Sequence, residues 1–173
     1  MSGPDPVAEI PAEIAERRFP ALGTWLPFAA MGVALLGVAD GVYLTIAHFT
    51  TAAFLACSST GVIDCAKVTT SPESEFLGMP VAVLGLAYFL VMVGINLPRS
   101  WRADGRSGAW LARLRIAGVV VGIGFAIWLV YAEVLIIGNI CIFCTIAHLL
   151  AFLLFLVVAV GTSQRGLGPS SLD

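Results

Sequence analysis

Four stretches of the chain are apolar around their whole circumference, near Leu26 to Phe49, Met79 to Leu97, Ile116 to Ile137 and Ile142 to Gly161. A hydrocarbon core of about 30 Å is crossed by roughly 20 helical residues rising about 1.5 Å each, and every one of the four has that reach. The pattern predicts an all-α integral membrane protein built as a four-transmembrane-helix bundle over residues 25–161. The segments between the runs are different in kind. Residues 1–24 are polar and carry Pro4, Pro6, Pro11 and Pro20, so they predict a tail with at most a short interfacial helix at Val7, Ile10 and Ile14. Residues 50–78 mix small, hydroxyl and acidic side chains, and Gly61 and Pro72 interrupt any long helix there. Residues 162–173 are rich in Gly and Ser and predict a second tail.

Composition agrees with that pattern: 59% of the 173 residues are hydrophobic, 12% are charged, and the mean hydropathy is +0.97. The net charge of -2 says little, but the nine basic residues are unevenly distributed. Arg17 and Arg18 precede the first run, Arg99, Arg102, Arg106, Arg113 and Arg115 crowd the link between the second and third, and Arg165 follows the fourth. Only Lys67 lies in the other long loop. Basic residues are retained on the cytoplasmic side, so both termini and the arginine-rich link are expected there, with residues 50–78 and the turn near Gly138 outside. No internal repeat, nucleotide-binding loop or nucleic-acid patch is visible. The first apolar run is about twice the length of a signal h-region, which favours an uncleaved helix. Phe54-Leu55-Ala56-Cys57 approximates a lipoprotein cleavage site, but its Leu is one place off and the site is far from the N-terminus. Gly118, Gly122, Gly124 and Ala126 form a stripe of small residues suited to close helix packing.

All four cysteines fall on the expected outer side or at its membrane boundary. Cys141 and Cys144 flank Ile142 and Phe143 where the fourth run begins, about one helical turn apart on one face, a spacing that permits a reversible disulfide. The unpaired amides and dipole of a helix N-terminus favour the thiolate, which is the species that attacks disulfides. Cys57 and Cys65 bracket Ser58 to Asp64, a length that a flexible segment containing Gly61 can close into a disulfide. One pair in a loop and one at the membrane boundary suggest a two-stage electron relay. Structural thiols, loop staples in a scaffold or small transporter, and a zinc site that adds His48 or His148 are the alternatives; the seven-residue spacing departs from usual zinc patterns.

This arrangement resembles the vitamin K epoxide reductase family. The likeness rests on Cys57-x7-Cys65 after the first run, Ser71 six residues further on, and Cys141-x2-Cys144 at the start of the fourth. Gly41-Val42-Tyr43-Leu44-Thr45, Phe76-Leu77-Gly78-Met79-Pro80 and Tyr131-Ala132-Glu133 are similar to bacterial members, and the likeness covers roughly residues 27–161. It implies a bundle whose extracytoplasmic, cysteine-bearing loop caps a quinone pocket, in a bacterial inner membrane. It further implies that Cys57 forms the mixed disulfide with a partner, that Cys65 carries electrons inward by attacking Cys141, that Cys144 sits beside the quinone, and that Ser71 hydrogen-bonds near the relay or the quinone. Because the chain ends at Asp173 without the thioredoxin-like domain fused to some bacterial members, a thioredoxin-like, disulfide-forming partner is expected in trans. Menaquinone is favoured over ubiquinone by the resemblance alone. The same cysteines run toward vitamin K epoxide or quinone reduction are the nearest alternative function.

Quinone reduction consumes protons, and ionisable groups inside a membrane are costly. Glu133 and Asp40 are therefore candidates for proton or quinone contacts, against simple interhelical hydrogen bonding. His148, one turn beyond Cys144 on the same helical face, is a candidate donor to a quinone oxygen.

Overall fold

A computed structural model describes residues 22–50, 57 and 60–166. The tails expected over 1–24 and 162–173 therefore lie outside the described residues up to position 21 and from position 167. The described chain runs through helix α1 (Leu22–Phe49), the short helix α2 (Cys65–Thr69), a 3-10 turn at Pro72–Ser74, and a hairpin of strands β1 (Glu75–Phe76) and β2 (Met79–Pro80). It continues through α3 (Val81–Ile95), a 3-10 turn at Ser100–Arg102, α4 (Gly105–Tyr131), a π turn at Ala132–Ile137, and α5 (Ile142–Gly166). Among the described residues, three segments are long and apolar enough to cross a bilayer: Trp25–Phe49, Gly105–Ile137 and Ile142–Ser163.

Helix α3 is shorter than its apolar run. Met79 and Pro80 pair with Phe76 and Glu75 in the hairpin, so the helix starts only at Val81. At its other end the Asn96 amide and its Nδ2 both donate to the Met92 carbonyl, at 3.0 and 2.9 Å, and Pro98 restricts the residue before it to extended backbone. Helix α4 departs in the other direction. It begins at Gly105, about three turns before the apolar run, because the Arg, Ala and Leu residues between them are good helix formers in water.

Helix α1 packs against α3 and α5, and α4 packs against α5, whereas α3 and α4 touch much less. The central core joins Ala30, Ala34, Phe89, Met92, Leu154 and Val158. Small residues set the approach: Gly37 faces the Phe89 ring and Gly118 faces the Met92 sulfur, where an added Cβ would collide. Gly122 and Ala126 are buried as the small-residue stripe predicts, but Gly124 is exposed with open space around it and is not part of the contact face.

At the end of the bundle that holds residues 96–104, Arg115 is buried rather than solvated. It donates to the Ile95 carbonyl at 3.0 Å and to the Ser100 hydroxyl at 2.8 Å, and its guanidinium lies 4.5 Å above the Trp101 ring. The opposite end holds the loop between α1 and α3 and the turn between α4 and α5.

Candidate functional site

The site is assembled by two backbone reversals. Past α4 the π turn ends at Gly138, whose φ of 69° suits glycine, and the Asn139 amide bonds back to the Glu133 carbonyl at 3.1 Å. Residues 139 and 140 then run beside the loop: the Ile140 amide donates to the Val62 carbonyl at 2.8 Å and the Asp64 amide to the Ile140 carbonyl at 3.2 Å, a parallel bridge centred on Ile63 and Ile140. The loop itself turns tightly, with Thr60 and Ile63 exchanging hydrogen bonds around Gly61 at a φ of 61°. Asp64 caps α2 by accepting from the Lys67 amide at 3.0 Å. The Lys67 ammonium donates to Asn139 Oδ1, and Asn139 Nδ2 donates to the Val62 carbonyl at 3.4 Å.

This stitching ends one residue short of Cys65 on one strand and of Cys141 on the other. The two sulfur positions therefore share one buried cluster with Leu44, Ala47 and Val68, with Cys57 and Cys144 packed against it. Cys57 and Cys65 form a disulfide with an S–S distance of 2.06 Å, while Cys141 and Cys144 are free thiols. Cys65 and Cys141 are 1% and 0% exposed, whereas Cys57 and Cys144 are only half-buried. Among the described residues no three His, Cys, Asp or Glu side chains are grouped for a metal ion.

Cys141 precedes the first residue of α5, and its sulfur accepts from the Cys144 amide at 3.3 Å, as a capping oxygen would. The Cys141 thiol is held below the ordinary thiol range, first by a hydrogen bond from the Cys144 side chain and then, against the cost of burial, by the amides of Cys144 and Phe143. Glu133 is 6% exposed, and its carboxylate is within hydrogen-bonding reach of the Cys141 amide and the Cys144 thiol. Counted along a straight helix, Glu133 lies two turns from Cys141; the reversal at Gly138 folds it back against the pair.

A cavity of about 410 Å³ opens among the helices next to this cluster. Cys144, Asp40, Ser71, Glu133 and His148 all line it, so every polar residue singled out from the sequence reaches the same space. Its remaining wall is mainly apolar, with His48, Thr69, Glu73 and Ser74 also lining it. The Ser71 hydroxyl donates to the Val68 carbonyl at 2.9 Å. Asp40 Oδ2 is buried with no hydrogen-bond partner in the structure, and so is the hydroxyl of Tyr88, which lines the cavity too. Tyr88, Lys67 and Asn139 are the residues of this region that sequence reasoning passed over. A single tyrosine in an otherwise apolar run was a signal for the first; nothing local marks the other two, whose partners are 72 or more positions away.

A model of the vitamin K epoxide reductase family matches residues 28–159, most of the chain and all four cysteines. Sulfur pairs at a helix start and in the loop above it, joined to an apolar cavity, are the features that match covers, and on it the chain belongs to the vitamin K epoxide reductase family of membrane oxidoreductases, which couple disulfide chemistry to reduction of a quinone or vitamin K.

Proposed function

We propose that this protein oxidises the dithiol of a thioredoxin-like partner and passes the electron pair through Cys57 and Cys65, then Cys141 and Cys144, to a membrane quinone. The observation that carries this reading is the joint burial of Cys65 and Cys141 in one cluster, with the more exposed Cys57 on its outer edge and Cys144 lining the cavity. Exposure dictates the order. A partner thiolate reaches Cys57, forms a mixed disulfide and releases Cys65; the partner's second thiolate then resolves the mixed disulfide. Cys65 attacks Cys141 of an oxidised Cys141–Cys144 pair, freeing Cys144, and closure of Cys57 onto Cys65 leaves Cys141 and Cys144 reduced. The Cys57–Cys65 disulfide beside free Cys141 and Cys144 thiols is what that exchange would leave.

The cavity fits a quinone head group: about 410 Å³ is within the range of small-molecule pockets, its wall is mainly apolar, and polar groups converge on it. A quinone bound there supplies a two-electron acceptor that takes up two protons as the Cys141–Cys144 disulfide re-forms. Glu133, against both cysteines, receives the proton from the Cys144 thiol, and His148 donates a hydrogen bond to the near oxygen. Ser71 holds the segment that follows α2 through its bond to Val68. Menaquinone is the favoured acceptor by family resemblance. In this reading α3 completes a fourth crossing, both termini are cytoplasmic, and the cysteine loop faces the extracytoplasmic side of a bacterial inner membrane.

The test combines purified protein in nanodiscs, a reduced thioredoxin-like partner and absorbance of added menaquinone or ubiquinone. Wild type converts quinone in step with partner oxidation. Cys144→Ser cannot form the inner disulfide, so partner oxidation stops after the first turnover, and a Cys65–Cys141 bridge accumulates when the Cys141 thiolate attacks Cys65 of the Cys57–Cys65 disulfide and frees Cys57, seen by peptide mapping without reductant. Failure to find that bridge, with normal folding, sinks the order of transfer; quinone turnover without partner oxidation supports a reductase for another pathway.

A further inference from the structure

Asp40 and Tyr88 both line the cavity, and one oxygen of each, Asp40 Oδ2 and the Tyr88 hydroxyl, is buried without a hydrogen-bond partner. Leaving a buried polar group unpaired costs about 1–3 kcal/mol, so two of them on one cavity wall point to an occupant that supplies the missing partners. Their depth is shared. Asp40 is nine residues from the loop end of α1 at Phe49, roughly 13 Å along the helix, and Tyr88 is seven from the loop end of α3 at Val81, roughly 10 Å. Cys144 is two residues into α5, roughly 3 Å from the same end. Among the residues that line the cavity, Cys144 thus lies near the loop end, and Asp40 and Tyr88 lie deeper, on α1 and α3, which pack together.

Tyr88 owes its position to Gly122, where any Cβ would overlap the phenol oxygen. The buried glycine is a backbone-close seat for that hydroxyl, and it explains why this part of the small-residue stripe faces α3.

We infer that Asp40 and Tyr88 form an inner polar anchor for the head-group oxygen farther from Cys144, and that the two side chains divide its two redox states between them. This rests on the quinone reading above. A quinone carbonyl only accepts hydrogen bonds, and the Tyr88 phenol is the donor for it. A quinol hydroxyl also donates, and Asp40 Oδ2 is the acceptor for it. Neither side chain exchanges electrons; the anchor orients the ring so that its other oxygen faces Cys144.

Steady-state kinetics of the full chain in nanodiscs test this with soluble menaquinone analogues and their quinols. Tyr88→Phe keeps the ring and removes the donor; KM for the quinone rises about fivefold, the effect of one lost neutral hydrogen bond, with kcat within about twofold. Asp40→Leu raises the inhibition constant of added quinol about fivefold while KM for the quinone moves less than twofold, and Asp40→Asn, which keeps an acceptor oxygen, restores quinol inhibition. Reduction of Cys57–Cys65 by the partner, followed without quinone, is unchanged in all three. An unaltered quinone KM in Tyr88→Phe overturns the inference, as does an Asp40→Leu protein whose two constants shift together. Should Asp40→Leu fail to fold, Tyr88→Phe decides alone. If wild type passes no electrons to any quinone, the underlying functional reading fails instead, and the two failures are separate.

Discussion

Cys141 occupies the position at which helices usually recruit a serine or aspartate oxygen, and its sulfur does the same work by accepting from the Cys144 amide. The consequence is a pH dependence with a definite sign. The Cys144 side chain, as the largest influence, lowers the Cys141 thiol below its usual value, so the thiolate persists to lower pH than in an unfolded chain, where a thiol titrates near about 8.5. Stability from this shift is present above the unfolded value and is lost as pH falls through the folded one. Methylthiolation of Cys141 by a small reagent, resolved by mass spectrometry, should inflect below pH ~8.5, and Cys144→Ala should move the inflection upward; an inflection unmoved by that change would show that the amides alone set it. The placement of this residue at a helix start, one turn from Cys144, was legible from spacing. Asp40, Glu133 and His148 were legible as polar groups in apolar runs, and Ser71 only through the family resemblance. Tyr88 was not, because a tyrosine in a span reads equally well as packing until its hydroxyl is found without a partner.

At the level of elements, apolar length located the long helices but not their ends. The ends depend on events hydropathy does not encode: the hairpin that delays α3, the Asn96 cap, and a charged helix that continues beyond the apolar run. The π turn was equally silent, although it and Gly138 turn Glu133 back onto the cysteines. The bridge between residues 62–64 and 140 is the most consequential of these unread features, because it brings two buried sulfurs from segments about 75 positions apart into one cluster. Asn139 is its side-chain fastener, bonded to both Lys67 and the Val62 carbonyl and only 9% exposed. In a Cys144→Ser background, Asn139→Ala should slow formation of the Cys65–Cys141 bridge about tenfold, consistent with unpairing buried groups at a cost of about 1–3 kcal/mol. Reduction of Cys57–Cys65 by an external dithiol should be unchanged, which separates misplacement from unfolding. An unaltered bridging rate would assign the docking to the backbone bonds alone.

Across the whole molecule the two ends have opposite characters. One carries the cysteines, α2 and the hairpin; the other carries the residue 96–104 link and the Arg115–Trp101 stack. Counting arginines in the sequence placed Arg115 in the link, yet it is 2% exposed and bonded to Ile95 and Ser100, so it belongs to the packing. Removing it from the count does not erase the asymmetry. Arg99, Arg102, Arg106 and Arg113 remain exposed at or beside the link, while Lys67, at the cysteine end, is tied to Asn139. Orientation follows the basic residues near span ends, with acidic ones contributing little, so the link is predicted to stay cytoplasmic and the cysteine end to face outward. In intact bacterial cells, a membrane-impermeant maleimide should label Cys57 after mild reduction, whereas a cysteine introduced at the exposed Ser107 should react only once the membrane is opened. The reverse pattern would turn the protein over. It would leave the sulfur cluster and cavity intact, but it would deliver the half-exposed Cys57 to a reducing compartment, where the Cys57–Cys65 disulfide would be kept open and partner oxidation could not be sustained.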